Sequence, residues 1–219
     1  MTSAKVIKRT KKARDIRTAK QGRASDAIGE LEAGCEIYIL TFGQFSLIDA
    51  LYSILQQTGP ADVDIATWTA ANAHLDEAAS LLERAQIASM RWVVDRSFLT
   101  RQPKYCAKMR DIFGDACIRT CRSHAKFITV RNNQWNLAIR TSMNLNENPR
   151  MENIEISDDP ILCGHLVGVV DGIFDEHAES DMTAGIPDLG ELENVAVQGQ
   201  LNYGTATVDS YPTIGADRS

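Results

Sequence analysis

No apolar run in the 219 residues approaches the roughly 20 that a bilayer-spanning helix requires, so a membrane protein of the helical kind is not expected. The basic N-terminal residues are followed by neither an apolar stretch nor a small-residue cleavage site, which argues against a secretory signal. Cysteine is sparse: five, an odd number at irregular spacing, do not make a disulfide framework. The expected setting is the cytoplasm. There is no internal repeat. The 44% hydrophobic and 24% charged residues are those of a folded globular chain, long enough for one domain with tails.

The formal net charge of −6 conceals a strong asymmetry. Residues 1–23 hold nine basic side chains (Lys5, Lys8, Arg9, Lys11, Lys12, Arg14, Arg17, Lys20, Arg23) against Asp15 alone, for +8. Residues 101–150 hold ten Lys or Arg against three acids, for +7, whereas 171–219 hold ten acids against one Arg, for −9. A low pI alone would argue against a nucleic-acid partner; two separate basic blocks reverse that reading. Lys8, Arg9, Lys11, Lys12, Arg14, Arg17, Arg122, Arg131 and Arg140 are the candidate nucleic-acid contacts.

The organisation expected is a basic flexible arm at 1–23, an α/β domain at 24–179 and an acidic, disordered tail at 180–219. Residues 1–23 have almost no apolar content, and the last forty are acidic and weakly periodic. Between them, strands are expected at Cys35–Phe42, Asp62–Thr69, Met90–Asp95, Cys117–Thr120, Lys126–Val130, Trp135–Thr141 and Asn153–Ile156. Helices are expected over 47–57, with Ser46 as cap, over 72–88, 104–113 and from Pro160 to about Glu179. Strands alternating with helices give an α/β sandwich, a central mixed sheet flanked by helices.

The chemistry concentrates in Ser123–Ile156. His124 and Lys126 lie two apart at the start of an expected strand, so imidazole and ammonium project together. Ser142 and Asn144 share a face at the end of the next. A base or nucleophile, a fixed cation and two neutral donors suit a phosphodiester: Lys126 neutralises phosphoryl oxygens, Ser142 and Asn144 hold them, and His124 attacks or shuttles protons.

Here the chain resembles the phospholipase D superfamily, whose signature is His-x-Lys, four residues, Asp, then Gly-Ser-x-Asn and, about eleven residues later, a Glu that orients the histidine. His124 and Lys126 match the first part; Ser142 and Asn144 match the second, with Thr141 for Gly. Glu155 stands eleven residues after Asn144, within an Asn-x-Glu element begun by Asn153. Arg131 occupies the place of the Asp. The resemblance implies a phospholipase D-like fold and metal-independent cleavage through a phosphohistidine, with no cofactor. It also implies a homodimer, because His74, His165 and His177 lack a Lys two residues on and a single motif supplies one of the two histidines needed. The basic blocks favour nucleic acid over lipid, DNA ahead of RNA. The compact, Asn-rich motif has the style of phage or mobile-element proteins, and hence of a bacterial host cell.

Three other readings compete. Arg131 in place of Asp suits a relative that grips nucleic acid without cleaving it. A phospholipid phosphodiesterase would want a membrane-seeking apolar surface, and no such helix is evident. Cys106, Cys117, Cys121 and His124 could be read as zinc ligands, but in an extended segment the last two thiols sit roughly 13 Å apart. Of the three tryptophans, Trp68 and Trp92 read as packing residues, and Trp135, beside Asn132 and Asn133, as the one candidate to stack on a base.

Overall fold

The computed structural model describes residues 13–146 and 149–176. Lys8, Arg9, Lys11 and Lys12 and the acidic tail at 180–219 lie outside the described residues. The strands are β1 (Asp15–Ala19), β2 (Glu36–Thr41), β3 (Ala61–Thr67), β4 (Ile87–Asp95), β5 (Ile118–Cys121), β6 (Phe127–Arg131), β7 (Asn136–Thr141) and β8 (Glu152–Asp158). They form one mixed sheet in the order β1-β2-β8-β7-β6-β3-β4-β5. Only β6 and β8 run against the other six.

Alternation divides the sheet into two faces. Ile37, Ile39, Val63, Ile65, Trp92, Val94, Ile128, Val130, Ile139, Ile154 and Ile156 enter the large core. It is closed by α1 (Ala24–Ile28), α2 (Leu47–Thr58), α3 (Asn72–Glu83), α4 (Ser97–Arg101) and α5 (Pro103–Phe113). Their buried side chains include Leu47, Leu51, Ile54, Leu75 and Met109, each contributing about 1.5–3 kcal/mol. α6 (Pro160–Glu176) covers part of the opposite face, seating Val170 beside Phe127 and Cys163 beside Ala138.

Local chemistry explains the helix ends. Asp49 N donates to Ser46 Oγ at 3.1 Å and Ser46 N to the Asp49 carboxylate at 2.8 Å, a reciprocal cap on α2. Gly59, at φ +74°, closes that helix in a conformation an L side chain resists. Asp159 Oδ1 accepts from Ile161 N and Leu162 N, and Pro160 at the first helical position sets φ for α6. Among the described residues no helix is long and apolar enough to cross a membrane.

Three expectations are corrected. The arm does not extend to residue 23: Asp15–Ala19 pair in parallel with β2 as an edge strand. Ile16 on it is 78% exposed, so backbone pairing rather than burial makes this strand, and hydropathy cannot register it. Arg14 and Arg17 are consequently part of the folded body.

Second, Arg131 is at the C-terminal end of β6, the far end from His124. Its guanidinium lies 3.7 Å from the buried Asp64 carboxylate, which also accepts from Arg91 Nε at 2.7 Å and Thr129 Oγ1 at 3.0 Å. An extended strand separates residues seven apart by roughly 23 Å, so Arg131 adds no cation at the His-x-Lys end.

Third, Trp135, the one candidate to stack on a base, is in the turn beside Arg131, at the end of the sheet away from His124, and packs against the large core.

Candidate functional site

The C-terminal ends of β2, β3, β4, β5 and β7 and the N-terminal ends of β6 and β8 share one edge of the sheet. Crevices at the carboxyl ends of parallel strands are where open α/β sheets gather polar groups. His124 and Lys126 lie there in the extended segment before β6, and Ser142 and Asn144 follow β7. Thr141 N donates to Lys126 O at 3.2 Å, continuing the β6–β7 ladder and holding the two halves of the motif side by side.

His124 and Lys126 meet as their spacing requires. Lys126 Nζ lies 3.2 Å from His124 Nδ1 and donates to His124 O at 3.2 Å. Burial holds the ammonium below the ordinary lysine value of 10.5, and the charge of Glu152 works in the other direction. With the ammonium facing Nδ1, the imidazole proton belongs on Nε2.

Past Thr141, Met143 and Leu145 turn into the core, so alternation leaves Ser142 and Asn144 together on the other side. Ser142 Oγ bonds the Glu152 carboxylate and accepts from Asn153 N at 3.0 Å. Asn144 Oδ1 is buried without a partner, the unsatisfied condition that sites hold for ligands.

The β8 carboxylate at this end is therefore Glu152. Glu155, expected to orient the imidazole, instead accepts from Arg140 at 2.6 Å and lies 3.9 Å from Arg14. The register puts it opposite Arg140, itself opposite Phe127. Glu155 is thus inside the sheet, on the side of Arg140, while Glu152 three residues earlier has the opposite parity and sits at the edge.

The basic contacts separate in the same way. Arg14 is bound to Glu36, Arg17 to Asp15 and to backbone carbonyls of α1, and Arg140 to Glu155. Arg122, exposed two residues before His124, remains at the site.

Two groups that sequence reading did not assign complete the edge. Trp68, just after β3, has its ring centroid 5.3 Å from that of His124 at 51°. The Arg101 guanidinium lies 3.7 Å over the Trp68 ring. The available signal was position: a tryptophan at the carboxyl end of a parallel strand is at the functional edge.

Asp95, ending β4, accepts from Ser97 Oγ, from Ser97 N at 2.9 Å and from Ser123 N at 3.0 Å. Burial opposes its charge, but those bonds and the nearby Arg101 hold the carboxyl below its ordinary value. Asp95 thereby tethers the residue preceding His124.

Among the described residues no three His, Cys, Asp or Glu side chains converge as a metal would need. Burial pushes the thiols of Cys106 and Cys121 up to about 11, so neither is a ready thiolate.

The sheet and its polar edge define an α/β protein with a candidate phosphoryl site. Among solved structures the chain is similar to Nuc, a phospholipase D family member from Salmonella typhimurium, at 16% identity and TM-score 0.40, over 53% of this chain and 78% of that one. It is also similar to NucT from Helicobacter pylori, at 12% identity and TM-score 0.44, over 64% and 96% of the two chains. A third is TrmBL2, an archaeal chromatin protein, at 10% identity and TM-score 0.40, over 57% and 47%. No model of a known protein family matches the chain, and no curated protein matches its sequence.

Proposed function

We propose that the chain is a phospholipase D-like phosphodiesterase that cleaves nucleic acid without a metal, as a homodimer. The observation that carries the reading is the meeting of His124, Lys126, Ser142 and Asn144 at one edge of the sheet. Lys126 binds the phosphoryl oxygens and in doing so leaves His124 Nδ1, to which the imidazole proton moves, so that Nε2 carries the lone pair. Asn144 donates its amide N–H to the same oxygens, and Ser142 does so once its hydroxyl turns from Glu152. His124 Nε2 attacks phosphorus; the P–N bond forms as the P–O bond to the leaving oxygen breaks. That oxygen takes its proton from the imidazolium of the same histidine in a second copy, which is left as a neutral imidazole. Water then displaces the phosphohistidine, its proton passing to the second imidazole, and both histidines return to their starting state.

The test is cleavage of single- and double-stranded DNA and RNA in EDTA by wild type and by His124→Ala. Cleavage that persists in EDTA and falls at least about a thousandfold in the variant supports the reading. Cleavage equal in both proteins overturns it. A second reading, a protein that grips nucleic acid without turnover, is favoured by the engagement of Glu155 with Arg140, which leaves Lys126 as the partner of Nδ1. Binding without cleavage by either protein would select it.

A further inference from the structure

We infer that Arg101, laid on Trp68 beside His124, is a stacking platform for an unpaired nucleobase next to the bound phosphate, which makes the substrate single-stranded. The inference rests on the nucleic-acid reading above and narrows its substrate.

The platform is built from several elements. Trp68 is half-buried at the end of β3, one ring away from His124. The Arg101 guanidinium, 3.7 Å above that ring, is also held by Trp68 O at 3.2 Å from Nη2 and by Ser97 Oγ at 3.0 Å from Nε. Ser97 is in turn bound to Asp95. A surface arginine ordinarily keeps its rotamer freedom, worth up to about 2 kcal/mol. Here three contacts fix a planar cation whose side away from Trp68 belongs to an exposed residue.

A plane of that kind, backed by an indole, has the chemistry of a base-stacking surface: guanidinium planes and aromatic rings both accept the face of a nucleobase. Duplex bases have their faces covered by neighbours, so only an unpaired base can use it. Lys126, the exposed Arg122 and Arg101 itself draw the backbone to this end without regard to sequence.

The test compares an oligothymidylate of about 12 nucleotides with an abasic oligomer of equal length and charge, within the 4–16 nucleotide span of single-strand sites. Binding is measured in a His124→Asn background to prevent turnover. The platform requires the base-bearing strand to bind about tenfold tighter than the abasic one and to quench tryptophan emission. Arg101→Lys keeps the charge and removes the plane, so it should bring the ratio below about threefold. Trp68→Leu should do the same, with its fold confirmed by circular dichroism.

Equal affinity for the two strands overturns the inference, as does a base-dependent advantage that survives Arg101→Lys. A quench undiminished when a complementary strand is annealed does so too. Hydrolysis of a base-free aryl phosphodiester by the wild-type protein reports separately on the phosphodiesterase reading, so the two can fail independently.

Discussion

At the scale of single residues, the cation and the acid at the candidate site make opposite demands on a phosphate. Lys126 is held below the ordinary lysine value by burial, with Glu152 opposing. Only the charged ammonium grips a phosphoryl oxygen, so its share of affinity is present below its lowered value and disappears as pH rises through it. That loss precedes the loss at any solvated lysine. Lys126→Ala should weaken oligonucleotide binding about tenfold at pH 7, the worth of one charge-assisted bond. Lys126→Arg should bind without that alkaline decline. Affinity titrations from pH 7 to 10.5 at fixed salt check both; an unchanged alkaline limb in the Arg variant assigns the decline to another group. Glu152 bonds Ser142 and adds negative charge where phosphate must sit. Glu152→Gln should therefore tighten polyanion binding severalfold, whereas Glu155→Gln, acting on Arg140 and Arg14, should leave it within about twofold. The difference between these acids shows what the sequence could not supply. A count of eleven residues fixes a distance along the chain, but three positions on a strand reverse the face, and only the β7–β8 register reveals which acid is at the edge. The placement of His124 beside Lys126 was legible because the two are separated by two residues, where alternation alone decides.

At the scale of elements, the site depends on joints between strands and the helices after them. Asp95 ends β4, begins the turn into α4 and accepts from Ser123 N, joining the helix that carries Arg101 to the segment that carries His124. Asp95→Ala removes those bonds and should cost about 1–3 kcal/mol of stability. It should also lower kcat more than it raises KM, because His124 loses its position rather than its chemistry. The carboxyl is held below its ordinary value, so its contribution is complete above that value and is lost as pH falls through the lower folded one. Asp95→Asn should accordingly narrow its stability deficit only below about pH 4, read by urea melts from pH 3 to 7. Most elements could be read from hydropathy, since β3, β4, β6 and β7 contain continuous buried runs, β2 alternates from Ile37 on, and α2 buries side chains with period 3.6. β1 escaped because its side chains are largely exposed and its order comes from β2's backbone. α4 escaped because five residues are too short for a period to emerge.

For the whole molecule, the arithmetic of protons decides what one subunit can do. Hydrolysis through a phosphohistidine needs one imidazole to attack and another to protonate the leaving oxygen. Among the described histidines, His74 is only 4% exposed in the first turn of α3 and His165 is on α6. Neither is joined to the His124–Lys126 pair by any described contact. In the proposed mechanism the second imidazole comes from a second copy, and a two-fold axis would give both copies equivalent surroundings. This makes a quantitative prediction for mixed assemblies. When wild type and His124→Ala are co-expressed and assemble at random, only dimers with two intact histidines turn over, so activity follows the square of the wild-type fraction. At equal amounts about a quarter of the activity per total protein should remain. A linear fall, leaving half, would mean that one imidazole suffices and that each subunit works alone. The proton donor would then have to be found within the same chain, and the edge that holds Lys126, Ser142 and Glu152 would be the place to look for it.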